Sequence, residues 1–557
     1  MPNILSRPVV QARNGSYTAC ALVGCHSVSL AWNIDDHEDR SSLLGFAIRR
    51  SRLDEELNLH DMRWLEGQKR FPGLENDNYG LNIPSYKAPF QRFRWNDYSV
   101  KPNQIYRFEI FPVTGQPNDI IMDLPIVLDF RTFMNSAGSL QIYTNRGVTS
   151  ALAYYDLFKD KHPSEIPDGS AYRWLSRELK ESAQNFIEQS EPGDEIHIAI
   201  YEFHDDAIAN ALSLASAKGV VIKVVYHAPD PNQGTVKKSL AIIQQNHLDS
   251  ICIPRTKTKI SHNKFMVLLR NQKPVQVWTG SANFSEAAFH FQTNFSVVIT
   301  NEHVANLYEQ YFKSLAMDLP RGRKNKSSEY IQDHIDKILF EYKTNHVERK
   351  ENLYFSPIRS KEIVDVAVEL IRNAKSAILL SSPFGMDKAI ISAIGENSKD
   401  ILEYGLANAT ATKKVAGLNK KNTRFFTPTR LETYLGRRWD AKMFGSHKIH
   451  AKSLIIDPWS TSPKVLFGSA NFSEPSCKEN DENMLLFEND PRLAAIMATE
   501  FLRMFDHYKS RWFINNFFAD DTQQNRYLTE NGDWSNIYFR ANANSHKFRD
   551  RLVFCGK

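Results

Sequence analysis

Histidine, lysine, serine and asparagine recur in the same order and at the same spacing in two stretches of the chain. Each member of the first stretch has a counterpart 188 positions further on: His262 and His450, Lys264 and Lys452, Ser281 and Ser469, Asn283 and Asn471, and finally Asn294 and Glu482. Both stretches contain the run Gly-Ser-Ala-Asn-Phe-Ser. Because the offset is constant, no insertion or deletion separates the matched positions, and the two stretches indicate an internal repeat.

These residue types suit phosphoryl transfer without a metal ion. One histidine nitrogen can attack phosphorus and carry the phosphoryl group covalently, while a second histidine protonates the leaving oxygen. Lysine ammonium groups, serine hydroxyls and asparagine amides can hold the phosphate oxygens as charge spreads over them. The sequence contains no HExxH or CxxC pattern for a metal ion. We therefore expect neither a metal ion nor another cofactor.

The doubled pattern resembles the signature of the phospholipase D superfamily, H-x-K-x4-D followed by G-S-x-N. The resemblance covers roughly residues 138–557 and implies a two-repeat α/β fold, one active site between the repeats and a phosphohistidine intermediate. The second copy is complete, with His450, Lys452 and Asp457, whereas Leu269 replaces the aspartate in the first copy. We interpret Asp457 as structural. Two degenerate, inactive repeats are the alternative, which the retention of all four residue types in both copies disfavours.

The resemblance assigns roles to the repeated residues. We expect the catalytic residues to be His262, Lys264, Asn294, His450, Lys452 and Glu482. We expect the phosphate to be bound by Ser281, Asn283, Ser469 and Asn471. Mutation of either histidine is expected to abolish turnover, because the two repeats would share one site.

The two copies differ in charge where the family places a partner for the catalytic histidine. A carboxylate partner raises the pKa of an imidazole, whereas an amide fixes the tautomer without adding charge. We therefore predict that His450, paired with Glu482, is the general acid. His262, paired with Asn294, would be the nucleophile. The opposite assignment stays open, because an anionic partner also strengthens a nucleophilic imidazole.

Composition describes an ordinary globular chain. Its 557 residues suit about three or four domains, and 42% hydrophobic with 24% charged residues is typical of soluble proteins. Five scattered cysteines favour a reducing compartment. No signal peptide and no apolar stretch long enough for a membrane span is found, so we expect a cytoplasmic protein.

Hydrophobic periodicity predicts three parts. Residues 1–135 alternate with period two, as in Val28, Leu30 and Trp32, which predicts an all-β sandwich that resembles a fibronectin type III module. Such a module favours a role in binding a protein partner or positioning the substrate. Residues 136–347 and 348–557 are predicted to be the two repeats, the second with a C-terminal extension. The fold class is thus α/β, with two tandem repeats of mixed sheets flanked by helices forming one pseudo-twofold catalytic unit.

Short apolar runs in the repeats predict the strands that position the site. The runs after His262 and His450 are β-branched and apolar, as expected for strands buried on both faces. Each histidine would begin a strand, with the lysine two residues later on the same side. The apolar residues Leu175, Leu179, Ala183, Phe186 and Ile187 predict one helix before the next strand. The aromatic tail after Arg511 is interpreted as core or as packing beside the cleft.

The charge near the repeated residues favours a polyanionic substrate. Between Lys413 and Lys452 stand eleven lysines or arginines and two acidic residues, and Arg255, Lys257 and Lys259 precede the first histidine. Such a basic approach to both copies is typical of nucleic-acid binding, although a solvated charged face would give the same pattern. We expect a nuclease acting on DNA or RNA. The alternatives are a phospholipase D or phosphatidyl transferase acting on membrane lipid, and a weakly catalytic nucleic-acid-binding protein.

Overall fold

The structure is a computed structural model. It describes residues 6–73, 82–136, 138–148, 152–159, 161–322, 329–344, 351–396, 400–408, 418, 422–428, 433–434, 437–438, 448–517, 527–540 and 546–556. Within this part of the chain, no helix is both long enough and apolar enough to cross a membrane.

An N-terminal β region precedes the repeats. Its strands are, in chain order, β1 Val9–Asn14, β2 Tyr17–Val23, β3 Val28–Ile34, β4 Gly45–Leu53, β5 Leu59–Trp64, β6 Glu66–Gly67, β7 Ile83–Pro84, β8 Arg94–Asp97, β9 Ile105–Gln116, β10 Asp119–Met122 and β11 Ile126–Arg131. One sheet has the order β1-β2-β3-β8 and the other β10-β9-β4-β5, with β11 also paired to β9. The predicted antiparallel β region is confirmed.

The sequence predicted one buried face for these strands, and for the first sheet this is wrong. Every residue of β3 is buried. Leu30 and Trp32 point into the core between the two sheets, whereas Cys20, Leu22 and Ala31 belong to the core of the repeats. At β2 and β3 the first sheet is therefore covered on both faces, because the catalytic unit packs against its outer side.

The first repeat follows. Its strands are β12 Leu140–Thr144, β13 Glu195–Ile200, β14 Val221–His227, β15 Cys252–Arg255, β16 Lys264–Arg270, β17 Lys273–Gly280 and β18 Phe295–Thr300. Its helices are α1 Leu152–Phe158, α2 Ser170–Ser176, α3 Leu179–Glu188, α4 Asp206–Ala217, α5 Gly234–Gln245, α6 Glu302–Ala316 and α7 Ile331–Thr344, with short 3-10 turns at Pro163–Glu165 and Asp249–Ile251 and a π-helix at Ala287–Phe291.

The second repeat has the same build. Its strands are β19 Glu351–Ser356, β20 Ala377–Ser381, β21 Leu402–Leu406, β22 Thr423–Phe426, β23 Thr433–Tyr434, β24 Arg437–Arg438, β25 Lys452–Ile456, β26 Lys464–Gly468 and β27 Glu482–Glu488. Its helices are α8 Glu362–Arg372, α9 Lys388–Glu396, α10 Glu474–Lys478, α11 Pro491–Phe517, α12 Asn536–Phe539 and α13 Lys547–Phe554, with a 3-10 turn at Gly532–Ser535.

The two seven-stranded sheets share one topology. The strand orders are β12-β18-β17-β16-β13-β14-β15 and β19-β27-β26-β25-β20-β21-β22, which match position by position. In each sheet the three strands at one end run parallel and the remaining pairs are antiparallel. The predicted pair of mixed-sheet α/β repeats is confirmed. The boundaries at 135 and 347 stay predictions, although β11 ends at Arg131 and β12 begins at Leu140.

One predicted helix is two helices. The chain turns between α2 and α3, where Arg177 and Glu178 have φ values of 43° and 72°. The turn directs the Arg177 guanidinium inward, where it donates to the carbonyl oxygen of Thr144 at 3.1 Å and to Glu500 Oε2 at 2.6 Å. The apolar periodicity continues through the turn, so it does not indicate the break.

Helix α11 joins the three parts. Its buried Glu500 accepts hydrogen bonds from Arg177 of the first repeat and from Ser27 Oγ of the β region, the latter at 3.1 Å. Further along the same helix, the Asp506 carboxylate accepts hydrogen bonds from the Arg94 guanidinium at 2.6 Å and from the Tyr98 hydroxyl at 3.0 Å. These contacts fix the β region against the catalytic unit.

The C-terminal tail packs on the β region. Of its two predicted places, the core or beside the cleft, the core is confirmed for Trp534, Tyr538 and Phe539. Trp534 Nε1 donates to the carbonyl oxygen of Leu43 at 2.8 Å, and the Trp534 ring stacks on Phe93 with centroids 5.3 Å apart. Arg551 Nε donates to the carbonyl oxygen of Tyr538 at 2.9 Å. The tail aromatics thus complete the hydrophobic core of the β region.

Candidate active site

Both His-x-Lys pairs lie at the start of a central strand. Lys264 begins β16, where it pairs with Ile200 of β13, and Lys452 begins β25. Both lysine side chains are fully buried, and each Nζ donates to the backbone carbonyl of its own histidine, at 2.6 Å for Lys264 and 2.8 Å for Lys452. With one spacer residue, both side chains of a pair lie on the same side of the strand, and each ammonium group is held close to its own histidine.

Main-chain contacts between the repeats bring the two histidines together. Ser261 forms a parallel bridge with Asp481, and the N–H of His262 donates to the Asp481 carbonyl oxygen at 2.8 Å. In the matching place, Thr293 bridges to Ile449, and the N–H of His450 donates to the Thr293 carbonyl oxygen at 3.2 Å. Each histidine is thus held beside the residue that precedes Glu482 or Asn294 of the other repeat.

The histidine partners are crossed between the repeats. His262 Nδ1 lies 2.7 Å from Glu482 Oε2, and His450 Nδ1 lies 2.9 Å from Asn294 Oδ1. The prediction that each histidine pairs with the partner of its own copy is wrong. The main-chain bridges explain the exchange, because each of them aligns one histidine with the residue that precedes the partner in the opposite repeat.

Serines of the repeated motif orient these partners. Ser281 Oγ donates to Asn294 Oδ1 at 2.8 Å, and Ser469 Oγ donates to Glu482 Oε2 at 3.1 Å. The hydroxyl protons are therefore already used within the site. We had expected both serines to bind phosphate, whereas this geometry makes them supports of the histidine partners.

Asn294 fixes the tautomer of His450. Its Nδ2 donates to the Ala288 carbonyl oxygen at 2.8 Å, so its Oδ1 must face the imidazole. An oxygen can only accept, so Nδ1 of His450 carries a proton. Nε2 is the remaining ring nitrogen, and it is the one that can exchange a proton with a substrate.

Burial and positive charge lower the pKa of both histidines. Desolvation, followed by the Lys264 and Lys452 ammonium groups, holds the pKa of His262 well below 6.5. Desolvation and the same two lysines act on His450 in the same direction. An imidazole kept neutral has a free lone pair, which is what a nucleophile attacking phosphorus needs.

The buried lysines and Glu482 have shifted pKa values as well. Desolvation lowers the pKa of Lys264 to about 7, although Glu482 and Glu202 act against this shift. Lys452 is lowered well below 10.5 by burial and by Lys264. Desolvation also raises the pKa of Glu482 to about 7. An anion that binds beside the two lysines raises these lowered pKa values again and so restores their protons.

A carboxylate that the sequence analysis did not identify lies beside one motif asparagine. Glu202 Oε2 accepts from Asn283 Nδ2 at 2.9 Å and from Ser285 Oγ at 3.1 Å. The matched Asn471 has no side-chain hydrogen bond among the described residues, and the Oδ1 atoms of both asparagines are buried without a partner there. Comparison of the segments after β13 and β20 would have shown this difference between the copies.

An aromatic ring lies against each histidine. The Tyr201 ring centroid is 5.0 Å from that of His262 and 5.2 Å from Lys264 Nζ. The Phe384 ring occupies the equivalent place, 5.8 Å from His450 and 5.4 Å from Lys452 Nζ, and 42% of its surface is exposed. Sequence reasoning missed both rings, which a comparison of the same two segments would also have revealed.

Asp457 lies away from the catalytic groups. Its carboxylate accepts from the backbone N–H groups of Lys375, Ser376 and Ala377 at 2.7–2.9 Å. It therefore holds the loop that enters β20. At the matched position, Leu269 is buried in the hydrophobic core.

The basic residues before His262 are not all available to a substrate. Arg255 is fully buried, and it donates to Asp481 at 3.0 Å and to Asp318 at 2.9 Å. The expectation that Arg255 contributes to a basic approach is wrong, because two carboxylates neutralise it. Lys257 is exposed, and Lys259 is paired with Glu479. Most of the segment from Lys413 to Lys452 lies outside the described residues.

A family model described as "Cardiolipin synthase, PLD-like domain" matches residues 184–316 and 367–505. Each matched segment contains one copy of the repeated residues and most of one seven-stranded sheet. The comparison with curated proteins found no match.

Three solved structures illustrate the similarity. Phosphatidylserine synthase from Haemophilus influenzae Rd KW20 is 12% identical over 60% of this chain and 85% of its own, with a TM-score of 0.43. Nuc, a phospholipase D family member from Salmonella typhimurium, is 22% identical over 34% of this chain and 99% of its own, with a TM-score of 0.23. Yeast tyrosyl-DNA phosphodiesterase is 14% identical over 56% of this chain and 86% of its own, with a TM-score of 0.33.

The doubled sheet topology, the repeated His-x-Lys and Gly-Ser-x-Asn residues and the match of the family model to both repeats agree. The chain belongs to the phospholipase D superfamily of phosphodiesterases.

Proposed function

We propose that this chain is a metal-independent nuclease that cleaves phosphodiester bonds through a phosphohistidine. The observation that carries this proposal is the crossed pair of histidines, each with Nδ1 anchored by the opposite repeat. The anchors leave Nε2 of each ring for chemistry on one phosphate between them. Two buried lysines close to the histidines supply positive charge where a phosphate would lie.

His262 is the proposed nucleophile. The exchange of partners reverses the pKa argument made from the sequence, so the assignment rests on Glu482 instead, because an anionic partner strengthens a nucleophilic imidazole. Its Nε2 lone pair forms a bond to phosphorus while the bond from phosphorus to the leaving oxygen breaks. The leaving oxygen takes the proton from Nε2 of His450, whose Nδ1 keeps its own proton and donates it in a hydrogen bond to Asn294 Oδ1. The imidazole of His262 becomes cationic as the bond forms, and the Glu482 carboxylate beside Nδ1 stabilises that charge.

Hydrolysis reverses the roles. A water molecule attacks the phosphohistidine, gives its proton to Nε2 of His450, and the bond from phosphorus to His262 breaks. The product phosphate leaves, and both imidazoles return to their starting states. His450 thus acts as acid in the first step and as base in the second, which requires its pKa to rise when the anionic substrate binds.

Nucleic acid is the proposed substrate. The sequence from Lys413 to Lys452 has eleven basic and two acidic residues, and it leads directly to His450. Residues 427–451 separate β22 from β25, whereas residues 256–263 separate β15 from β16, so the second repeat is 17 residues longer here, and five of the eleven basic residues lie in this longer segment. Basic residues attract the regularly spaced phosphates of DNA or RNA. The exposed Phe384 ring beside His450 offers a surface on which a base can stack.

Phosphatidyl transfer is the second candidate. The matching family model carries the description cardiolipin synthase, and the same catalytic groups serve a phospholipid diester. Anionic lipid surfaces would also attract the basic residues between Lys413 and Lys452.

Cleavage of end-labelled single- and double-stranded DNA and RNA in excess EDTA tests the proposal, with wild type and His450→Ala in parallel. We expect the wild type to cleave at least one polymer and the variant to cleave none. Cleavage of phosphatidylcholine or cardiolipin vesicles, with no polymer cleaved, would contradict the nuclease assignment and favour the lipid. Salt-sensitive binding of a polymer without turnover would contradict an enzyme of either kind.

A further inference from the structure

Glu202 is a second carboxylate, besides Glu482, in a site that is proposed to hold an anion. It follows β13 directly, and the segment around it is pinned to the motif. Phe203 bridges to Phe284, the N–H of Phe284 donates to the Glu202 carbonyl oxygen at 3.0 Å, and the N–H of His204 donates to the Phe284 carbonyl oxygen at 2.7 Å. The carboxylate is therefore held in place by backbone contacts on both sides.

The second repeat lacks this charge. The N–H of Asp387 donates to the Phe472 carbonyl oxygen at 2.7 Å, which is the counterpart of the His204 contact. Counting back from that contact, Gly385 occupies the place of Glu202. The carboxylate is thus present in the His262 half of the cleft and absent from the matched position of the other half. The repeated fold by itself therefore does not explain it.

Glu202 determines the orientation of Asn283. It accepts one hydrogen of the Asn283 Nδ2 group at 2.9 Å, which leaves the second hydrogen for a ligand. Asn283 is buried, so the amide cannot exchange this contact for water. The two hydrogens of an amide diverge by about 120°, so acceptors on both lie about 5 Å apart. A phosphate oxygen bound to Asn283 would then lie about 5 Å from the Glu202 carboxylate oxygen that accepts the other hydrogen.

We propose that Glu202 is a positioning and specificity residue that aligns Asn283 and selects a phosphate group with a single negative charge. A phosphodiester carries one charge, and the lysines Lys264 and Lys452 balance it. A phosphomonoester carries close to two, because its second pKa is about 6. Repulsion from Glu202 acts on the second charge, so the site would favour the interior of a polymer over a terminal phosphate.

The electrostatic coupling of Glu202 to the lysines supports this placement. Its charge raises the pKa of Lys264 and of Lys452 against the desolvation that lowers them. Glu202 therefore lies near enough to both ammonium groups to act on whatever they bind. The inference rests on the proposed binding of a phosphodiester at this site, whichever polymer or lipid supplies it.

Equilibrium binding of dimethyl phosphate and methyl phosphate to the full chain tests the inference. The two probes are similar in size, and at about pH 7.5 they carry one and nearly two charges. We expect wild type to prefer dimethyl phosphate, and Glu202→Gln, which keeps an oxygen that can accept from Asn283, to shift the ratio of the two dissociation constants by about tenfold toward methyl phosphate. Glu202→Asp should keep the preference of the wild type.

Two controls separate the outcomes. Glu188→Gln removes an exposed charge on α3 and should leave the ratio unchanged. An equal weakening of both probes in Glu202→Gln would mean that Glu202 only supports the loop, and would overturn the inference while leaving the phosphodiester site intact. Binding of neither probe to wild type would contradict the phosphodiester site itself, and the inference with it.

Discussion

Nδ1 of His262 in the first repeat lies 2.7 Å from Oε2 of Glu482 in the second. The reciprocal contact joins His450 to Asn294, and the serine of each motif holds the partner that serves the other histidine. Neither repeat therefore contains a complete acid–base unit. The crossing gives the two halves of the site unequal charge, and we propose that this inequality determines which histidine forms the covalent bond.

The identity of the nucleophile can be read from a trapped intermediate. In His450→Asn the first step keeps its nucleophile but loses its acid, so we expect steady-state turnover to fall by about 10³-fold or more. A substrate with a good leaving group needs no acid and should then leave a phosphoryl group on His262. Mass spectrometry of the quenched protein would locate it. Labelling of His450 in the parallel variant His262→Asn, and none in His450→Asn, would reverse the assignment.

Asn294→Asp should extend activity to higher pH. A carboxylate next to His450 Nδ1 stabilises the imidazolium and raises its pKa, so the acid keeps its proton further into the alkaline range. The alkaline limb of kcat against pH, which reports groups in the substrate complex, is expected to move upward by about one unit. Asn301→Asp, which adds the same charge at the N-terminus of α6, serves as the control. An unmoved limb would mean that His450 is not the general acid.

Lys264 should impose a loss of activity above neutral pH. Its pKa is lowered to about 7 by burial, so the free enzyme loses this positive charge as pH rises through that value. We expect kcat/KM to fall in the same range, because a neutral amine cannot balance the phosphate charge. Lys264→Gln should be weakly active at all pH values. The exposed Lys257→Gln should retain the wild-type profile, and a similar loss there would contradict this explanation.

The residues of the site could be found from sequence, but their partners could not. The constant offset identified His262, His450 and their neighbours because it relates positions within one chain. The offset contains no information about which residue of one repeat contacts which residue of the other. The main-chain bridges of Ser261 and Thr293 determine those contacts. Glu202 was missed for a related reason, because a single carboxylate after a strand has no counterpart in the second copy to mark it.

Asp457 and Leu269 occupy matched positions with opposite requirements. In the wild type, backbone N–H groups donate to the Asp457 carboxylate. Asp457→Asn places an amide N–H against these donors, and we expect the free energy of unfolding to fall by about 1–3 kcal/mol. Leu269→Asp buries an unpaired charge in the core and should cost at least as much. Thermal unfolding of both variants, with catalysis measured at low temperature, checks this. Loss of activity in Asp457→Asn at full stability would show that Asp457 serves the chemistry.

Glu500 should stabilise the protein at all but strongly acidic pH. Burial alone would raise its pKa, but Arg177 and Arg503 outweigh burial and hold the pKa well below 4.5. A depressed carboxyl pKa gives stability that is present above the unfolded value and is lost as pH falls through the folded value. Glu500→Gln leaves the arginines unpaired and should destabilise by about 3 kcal/mol at neutral pH.

Unfolding followed from neutral to acidic pH distinguishes this explanation from a packing defect. The difference in stability between wild type and Glu500→Gln is expected to stay constant above about pH 4.5 and to shrink below it. Ser27→Ala removes the contact of the β region with Glu500 but leaves both arginines, so it should cost about 1 kcal/mol. A difference between wild type and Glu500→Gln that does not change with pH would contradict the role of the charge.

Periodicity predicted the strands of both sheets because alternation and apolar runs are local. It did not predict that β3 is buried on both faces or that Trp534 and Tyr538 close the core of the β region. Both features come from contacts between parts that lie hundreds of residues apart. The break between α2 and α3 was likewise invisible, since Arg177 turns inward for a partner on α11.

The exchange of anchors has a consequence for the chain as it is made. The first repeat leaves the ribosome with His262 and Lys264 in place, but Glu482 is still to be synthesised. Until β27 pairs with the rest of its sheet, the imidazole has no anion beside it, and the phosphate site has only one of its two lysines. A nascent or truncated chain would therefore lack the proposed activity, which would begin only when the second sheet docks against the first.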